Sequence, residues 1–330
     1  MHDPNKNEPK PGERILIISP AKDEAEFIEQ TIHSLAWQEL RPATWVIVND
    51  GSSDDTGKLA DEAAERYPWI QVLHRPAGTK RRVGPGVIEA FYAGLESVDL
   101  NDYDFVVKLD ADIHLPHYYF SGLIQKFHDN PRLGTISGKC YIPVDGQLVY
   151  ERTGDEFTHG TAKLYRRECF QEIGGFVREV MWDGIDCHKC RMFGWEAYSV
   201  ADTQYHIIHL RQMGSSHKNI LHGRRRWGRG QYFMGTHLPY VLAITLYRML
   251  ERPWVLGGLN ILFGYLGAMF SRYPRYEDKA FRRFLRSWQW QKLLSMFLPK
   301  FLRPGMGSNS KSRSSSASWS TNRQLNQPSP

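Results

Sequence analysis

The sequence predicts an α/β fold with a mostly parallel, Rossmann-like central sheet flanked by helices, followed by a C-terminal helical, membrane-associated extension. Three observations predict it. Short apolar runs at 14–18, 45–48, 70–73 and 105–109 alternate with amphipathic stretches of helical length, a spacing that calls for parallel strands joined by right-handed crossovers. Three of these runs stop at acidic or Asn/Asp-rich turns, and an open α/β sheet binds ligands beyond the carboxyl ends of its strands. From Ser216 the chain turns densely basic and then strongly apolar.

The elements follow in order. Residues 1–12 are polar and proline-bearing and read as a disordered leader without the apolar centre of a signal peptide, which argues against export. Arg14–Ile18 is a buried strand breaking at Ser19-Pro20. Asp23 to Glu26 then opens a helix, with acids in the first turn where the dipole favours them and Ile28, Ile32, Leu35 and Ala36 on one face. A strand at 45–48 leads through Asn49-Asp50-Gly51-Ser52 into a helix at 57–67, and 70–73 is a third strand. A glycine-rich basic loop, 75–86, precedes a helix reaching about Ser97. The strand 105–109 ends in Asp110-Ala111-Asp112. A helix over 117–128, a strand over 133–141, a short helix at 168–173 closed by Gly174-Gly175 and a helix at 182–193 closed by Gly194 come next. Residues 151–165 carry no clear period, and 197–200 and 205–210 read as strands. The domain reading is a catalytic unit at 13–215, a basic and apolar helical region at 216–303 and a disordered Ser/Asn/Pro-rich tail at 304–330.

With 330 residues, 41% of them hydrophobic and 24% charged, the chain can bury a full core. A net charge of +6 suits phosphorylated ligands, nucleic acid or an anionic membrane without choosing among them. Four cysteines are too few for a disulfide scaffold and point to a reducing compartment; Cys187 and Cys190 have CxxC spacing without a second pair and read as structural.

Three strand ends carry the chemistry. Pro20 to Glu24, Asn49 to Ser52 and Asp110 to Asp112 line one crevice of a doubly wound sheet. Carboxylates at Glu24 and Asp50 suit ribose hydroxyls and base N–H groups. Lys80, Arg82 and the neighbouring glycines of the basic loop can approach a phosphate. Asp110 and Asp112, two apart at the end of a strand, share a face and could share a cation. The plainer alternatives are turn chemistry at 49–52 and a solvated basic run at 80–82.

PAKDE at 20–24, VNDGSSDDT at 48–56, LDADIHLP at 109–116, GGF at 174–176 and WDGIDCHKCRMFGW at 182–195 occur in the order found in family 2 glycosyltransferases, and residues 13–235 resemble that family. The resemblance implies a GT-A fold and inverting transfer of sugar from a nucleotide-diphosphate sugar. It implies that Pro20, Glu24, Asp50 and Asp110, with Lys80 and Arg82, bind the donor nucleotide, and that Asp110 and Asp112 hold a divalent metal, Mg2+ or Mn2+. His209 or His217 would add a metal ligand or phosphate donor. Counting back from Gly194 places the family's catalytic base at Asp183, with Trp182 where the family has Glu; Asp186, one turn along, is the rival. Processive synthases of the family carry Gln-x-x-Arg-Trp, and here Gly223 precedes Arg226-Trp227 at the Gln position, which argues for transfer of a single sugar.

Pro253 to Phe270 has no charge and would span about 27 Å as a helix, short of the roughly 30 Å hydrocarbon core. With basic flanks on both sides it reads as a helix in the interface of the inner leaflet, the alternative being a buried helical hairpin. The expectation is thus an inverting, metal-assisted glycosyltransferase at the cytoplasmic face of the cell membrane. It acts on a glycan or lipid-linked acceptor in envelope or polysaccharide biosynthesis, with no nucleic-acid partner. A nucleotidyltransferase would need its glycine-rich basic loop after the first strand, and here it follows the third. A membrane-bound nucleotide- or glycan-binding protein without catalysis is the non-enzymatic rival.

Overall fold

The first strand, β1, Ile15–Ala21, is an interior strand whose residues 15 to 18 are fully buried. The computed structural model describes residues 9–76, 84–144, 146–151, 153–211 and 220–297. The expected phosphate-binding residues Lys80 and Arg82, His217, residues 1–8 of the leader and the tail at 304–330 lie outside them. After β1 come α1 (Ile28–Ala36), β2 (Thr44–Asn49), α2 (Thr56–Arg66), β3 (Ile70–His74), α3 (Pro85–Leu95) and β4 (Phe105–Leu109). β5 (Ile113–His114), α4 (Tyr119–Asp129), β6 (Leu133–Gly138), β7 (Cys140–Val144), β8 (Gln147–Tyr150) and β9 (Ala162–Arg166) follow. The remaining elements are α5 (Arg167–Glu172), α6 (Trp182–Met192), β10 (Glu196–Val200), β11 (Ile207–His209), α7 (Ile220–Met234), α8 (Leu238–Arg248), α9 (Trp254–Phe270) and α10 (Lys279–Phe297).

Seven strands form the main sheet in the order β10-β6-β9-β4-β1-β2-β3, all parallel except β9, which runs antiparallel to both neighbours. A second sheet, β5-β11-β7-β8, folds beside it. Two apolar layers cover the main sheet: one joins Ile15, Ile17, Trp45, Val107, Phe120 and Phe127, the other Leu16, Ile18, Val46, Phe91, Tyr165 and Phe176. Alternate residues of β1 enter opposite layers, as a sheet buried on both faces requires.

Several boundaries differ from the sequence expectation for local reasons. β1 continues through Pro20. The carbonyls of Ile15 and Ala21 accept from Ala43 and Asp50 on the β2 side, so even-numbered residues face β4, and the β1–β4 register ends at Ile18. The missing N–H of Pro20 therefore points where β4 has already parted. α1 starts at Ile28 rather than Asp23, because the Glu24 carbonyl first closes a turn onto the Phe27 and Ile28 N–H groups. The expected strand 133–141 is two strands in two sheets. At Gly138 a Cβ would lie 1.7 Å from the Tyr205 carbonyl oxygen, so only glycine lets the chain cross there. Residues 162–166 of the unassigned stretch form β9, inserted between β4 and β6.

The chain divides into two compact units, Met1–Gln289 and Trp290–Pro330. Within the first, α7 and α9 cross at backbone distance: a Cβ on Gly228 would sit 1.9 Å from the Ile261 carbonyl oxygen, and one on Gly264 2.0 Å from that of Arg225. Gly228 and Gly264 thus form the packing seam between these two helices. The other face of α9 leaves Trp254, Val255, Leu256 and Phe263 more than half exposed. No helix of the described residues is long and apolar enough to cross a membrane.

Candidate active site

The loops after β1 and β2 lock together, and the lock accounts for most of the VNDGSSDDT motif. The Thr56 hydroxyl accepts from the Glu24 N–H at 2.7 Å and donates to Asp54 Oδ1 at 2.5 Å, while Asp54 Oδ2 accepts from the Ala25 N–H at 3.0 Å. Asp23 returns the contact, accepting from the Ser53 N–H at 2.8 Å. Asn49 Oδ1 ties down the Ser52 N–H at 3.0 Å. Burial pushes the Asp54 carboxyl up, but hydrogen bonds from Thr56 and Ala25 outweigh it and hold it below its ordinary value. Asp50, the remaining acid at the mouth, pairs with Arg75 at 2.6 Å, and its carbonyl accepts from Lys22 at 2.8 Å. Glu24 is buried and paired with Arg211.

Asp110-Ala111-Asp112 lies past the end of β4, in a bend, so the two carboxylates do not share a strand face as expected. Asp110 is half-buried and pairs with Lys108. Asp112 is buried, and its Oδ2 meets His209 Nε2 at 3.2 Å and Arg211 Nε at 3.4 Å. Burial raises the Asp112 carboxyl, yet the bond and charge of His209, with Arg211 and Lys108, outweigh it and hold the group below 3.8. His209 shows the reciprocal balance: burial lowers its pKa, and Asp112, Asp110 and Glu151 raise it past the ordinary value. Its Nδ1 is buried without a hydrogen-bond partner. Hard carboxylate oxygens, ionised and flanked by an imidazole, suit Mg2+ or Mn2+. Among the described residues, the three-residue group whose donor atoms all lie within 4.8 Å of one another is Cys140, Glu151 and His209; Asp110 and Asp112 are not in it.

α6 presents the two candidate bases very differently. Asp186 is buried, bound by Lys163 Nζ at 2.5 Å, by the Tyr165 hydroxyl and by the Cys187 N–H, with no open side for an acceptor. Asp183, in the first turn, reaches solvent, and its Oδ2 lies 3.5 Å from where a Cβ on Gly160 would stand. Crowding by protein raises the Asp183 carboxyl; Lys163 opposes this, the Asp186 charge adds to it, and the net direction is upward. Gly160 joins the two halves of the crevice, because its carbonyl accepts from Lys108 Nζ at 2.9 Å and Lys108 in turn pairs with Asp110. Cys187 and Cys190 are buried free thiols.

Sequence reasoning passed over the basic residues of this crevice. Lys108 and Lys163 stand opposite each other in the β4–β9 ladder, a repulsive placement unless each finds a partner. Each has its own aspartate, and both ammonium groups reach the Trp182 ring, at 5.4 and 5.3 Å from its centroid. That gives Trp182, which departs from the family's Glu, a physical role. Arg211 is the other omission: it joins Glu24 to Asp112 across the sheet ends. A lone arginine after a short strand gave no signal, since its partners are far away in sequence.

Residues 16–177 match the model of Glycosyl transferase family 2. A poly-beta-1,6-N-acetyl-D-glucosamine synthase of Staphylococcus aureus is 29% identical over 135 residues, 39% of this chain and 29% of its own length. An undecaprenyl-phosphate mannosyltransferase of Micrococcus luteus is 36% identical over 99 residues, 30% of this chain and 38% of its own. The chain therefore spans well under half the length of these curated relatives. A mannosyltransferase from Pyrobaculum calidifontis, in complex with GDP-Man and Mn2+, has the same fold at a TM-score of 0.51 and 19% identity, over 89% of this chain and 88% of that one. The mostly parallel sheet with its flanking helices is GT-A-like, and residues 16–177 form a glycosyltransferase family 2 domain.

Proposed function

We propose that this chain is an inverting glycosyltransferase. It moves a single sugar from a nucleoside-diphosphate sugar to a glycan or lipid-linked acceptor in envelope polysaccharide synthesis. One observation carries the reading: Gly160 brings the Asp183 carboxylate to the crevice that holds Asp110, through Lys108. A carboxylate open to an acceptor is then linked through Gly160 and Lys108 to Asp110, an acid that can help take a cation and a diphosphate.

In the proposed reaction the acceptor hydroxyl attacks the anomeric carbon, and the bond to the diphosphate breaks with its electron pair leaving on the phosphate oxygen. Asp183 takes the hydroxyl proton, a contribution of roughly 10²–10⁴-fold. Its pKa is shifted upward, by burial and against the opposing charge of Lys163, which strengthens it as a base. Asp110, Asp112 and His209 would hold Mg2+ or Mn2+, which supplies neutralising charge for the leaving diphosphate. Arg211 stands beside Asp112 with a guanidinium suited to forking onto a phosphate. Glu24 and Asp50, fixed by the loop lock, would accept from the nucleoside; Pro20 supplies the adjoining backbone, and Lys80 and Arg82 would reach the phosphates. Gly223 in place of Gln supports single-sugar transfer over processive synthesis.

We further propose that residues 216–303 associate with the inner face of the membrane. The support is the apolar surface left open on α8, α9 and the turn between them, where Leu246, Leu250, Trp254, Leu256 and Phe270 are all more than half exposed.

The test is a donor panel beginning with GDP-mannose and UDP-N-acetylglucosamine, the sugars of the relatives, with Mn2+ and a lipid-linked glycan acceptor that carries a free hydroxyl. Release of nucleoside diphosphate with an inverted anomeric centre by proton NMR supports the reading. Pyrophosphate release would assign nucleotidyl transfer instead, and binding without release would assign a non-catalytic protein.

A further inference from the structure

Five cations line one cavity of about 390 Å³: Arg275, Lys279, Arg282, Arg283 and Arg286. No acidic side chain lines it. Four of them lie on α10 at i, i+3, i+4 and i+7, so like charges are neighbours along one helix face, an arrangement that destabilises an isolated helix. The adjacent Asp278 is engaged with the Phe281 N–H at 2.9 Å. Three of the four arginines are held by the fold. Arg275 lies 4.5 Å above the Tyr232 ring, Arg286 Nε donates to the Gly235 carbonyl at 3.2 Å, and the Arg282 stem packs against Gly235. Arg275 Nε and Arg282 Nε are buried without a hydrogen-bond partner. Fixed guanidinium forks, a lysine point charge and no counter-charge suit a compact multivalent oxyanion.

We propose that this cavity is a phosphate-binding site, shaped for a phosphomonoester or diphosphate group carried by a membrane lipid or by a small free anion. Arg286 and Arg283 present donors on successive turns of α10, so two phosphate oxygens can be met from one helix face. The site needs neither the donor nucleotide nor Asp183, so it stands or falls apart from the catalytic reading.

The experiment titrates the full chain, in chelator and without nucleotide sugar, with inorganic pyrophosphate and, separately, with phosphatidylcholine vesicles containing or lacking phosphatidic acid. Wild type is compared with Lys279→Gln/Arg283→Gln, two exposed positions, and with Lys58→Gln/Arg66→Gln, which removes the same charge from α2. The cavity variant should weaken anion binding by roughly tenfold or more, and the α2 variant should leave it unchanged. Arg283→Gln alone should give a smaller loss in the same direction. An effect in the pyrophosphate arm identifies a free anion as source, and one confined to phosphatidic acid vesicles identifies a lipid headgroup. No binding by wild type in either arm, or equal weakening in the two double variants, overturns the proposal.

Discussion

Lys163 and Asp186 form a fully buried ion pair at 2.5 Å, and the same ammonium donates to the Asp183 carbonyl at 2.8 Å. The pair joins β9 to α6. It fixes the first turn of the helix that presents Asp183, while Tyr165 and the Cys187 N–H satisfy the rest of the Asp186 carboxylate.

Removing one partner of such a pair leaves a buried charge. Lys163→Met should therefore destabilise the protein by about 3–5 kcal/mol, whereas Lys163→Met/Asp186→Leu should recover most of the loss. Urea unfolding of the two variants measures both values. A Lys163→Met variant as stable as wild type would mean that Asp186 is not charged in the folded state.

A second buried group sets a pH dependence. His188 packs against Phe157, Trp288 and Phe281, and burial, followed by the Arg191 charge, pushes its pKa well below 6.5. The unfolded chain protonates this imidazole near 6.5 and the folded chain does not. The unfolded state thus binds the extra proton, and stability falls as pH drops below 6.5. Above 6.5 both states are neutral and the contribution is flat. His188→Gln should reduce the slope of unfolding free energy between pH 6.5 and lower values; an unchanged slope would contradict it.

These features differ in how far the sequence exposes them. β1 to β4 were legible because buried parallel strands read as continuous apolar runs. β9 was not, because AKLYR carries a lysine that burial would forbid without Asp186, 23 residues on. Arg211 was invisible for the same reason, its partner Glu24 lying 187 residues away. VNDGSSDDT was found as a motif, yet four of its side chains, those of Ser52, Ser53, Asp54 and Thr56, serve the lock between two loops. The uncharged run 253–270 suggested a membrane-interface helix; Gly264 within it serves the close crossing with α7. The spacing to Gly194 favoured Asp183 over Asp186, and in the structure burial separates the two.

The proposed metal dependence rests on the charge around Asp112. Asp112→Asn removes the carboxylate that His209 and Arg211 now flank. It should weaken Mn2+ binding by an order of magnitude or more, read by electron paramagnetic resonance of free Mn2+, while the thermal midpoint moves by only a few degrees. Mn2+ affinity equal to wild type would place the cation elsewhere.

The most direct measurement is the single-turnover rate of sugar transfer by wild type and Asp183→Asn, with donor affinity measured alongside. The change keeps the shape of the side chain and removes the proton acceptor. The rate should fall by roughly 10²–10⁴-fold with donor affinity intact. The wild-type rate should also fall as pH drops through an Asp183 pKa raised above 3.8. An Asp183→Asn enzyme that transfers sugar at the wild-type rate would contradict the assignment of Asp183 as the base, and with it the proposed mechanism.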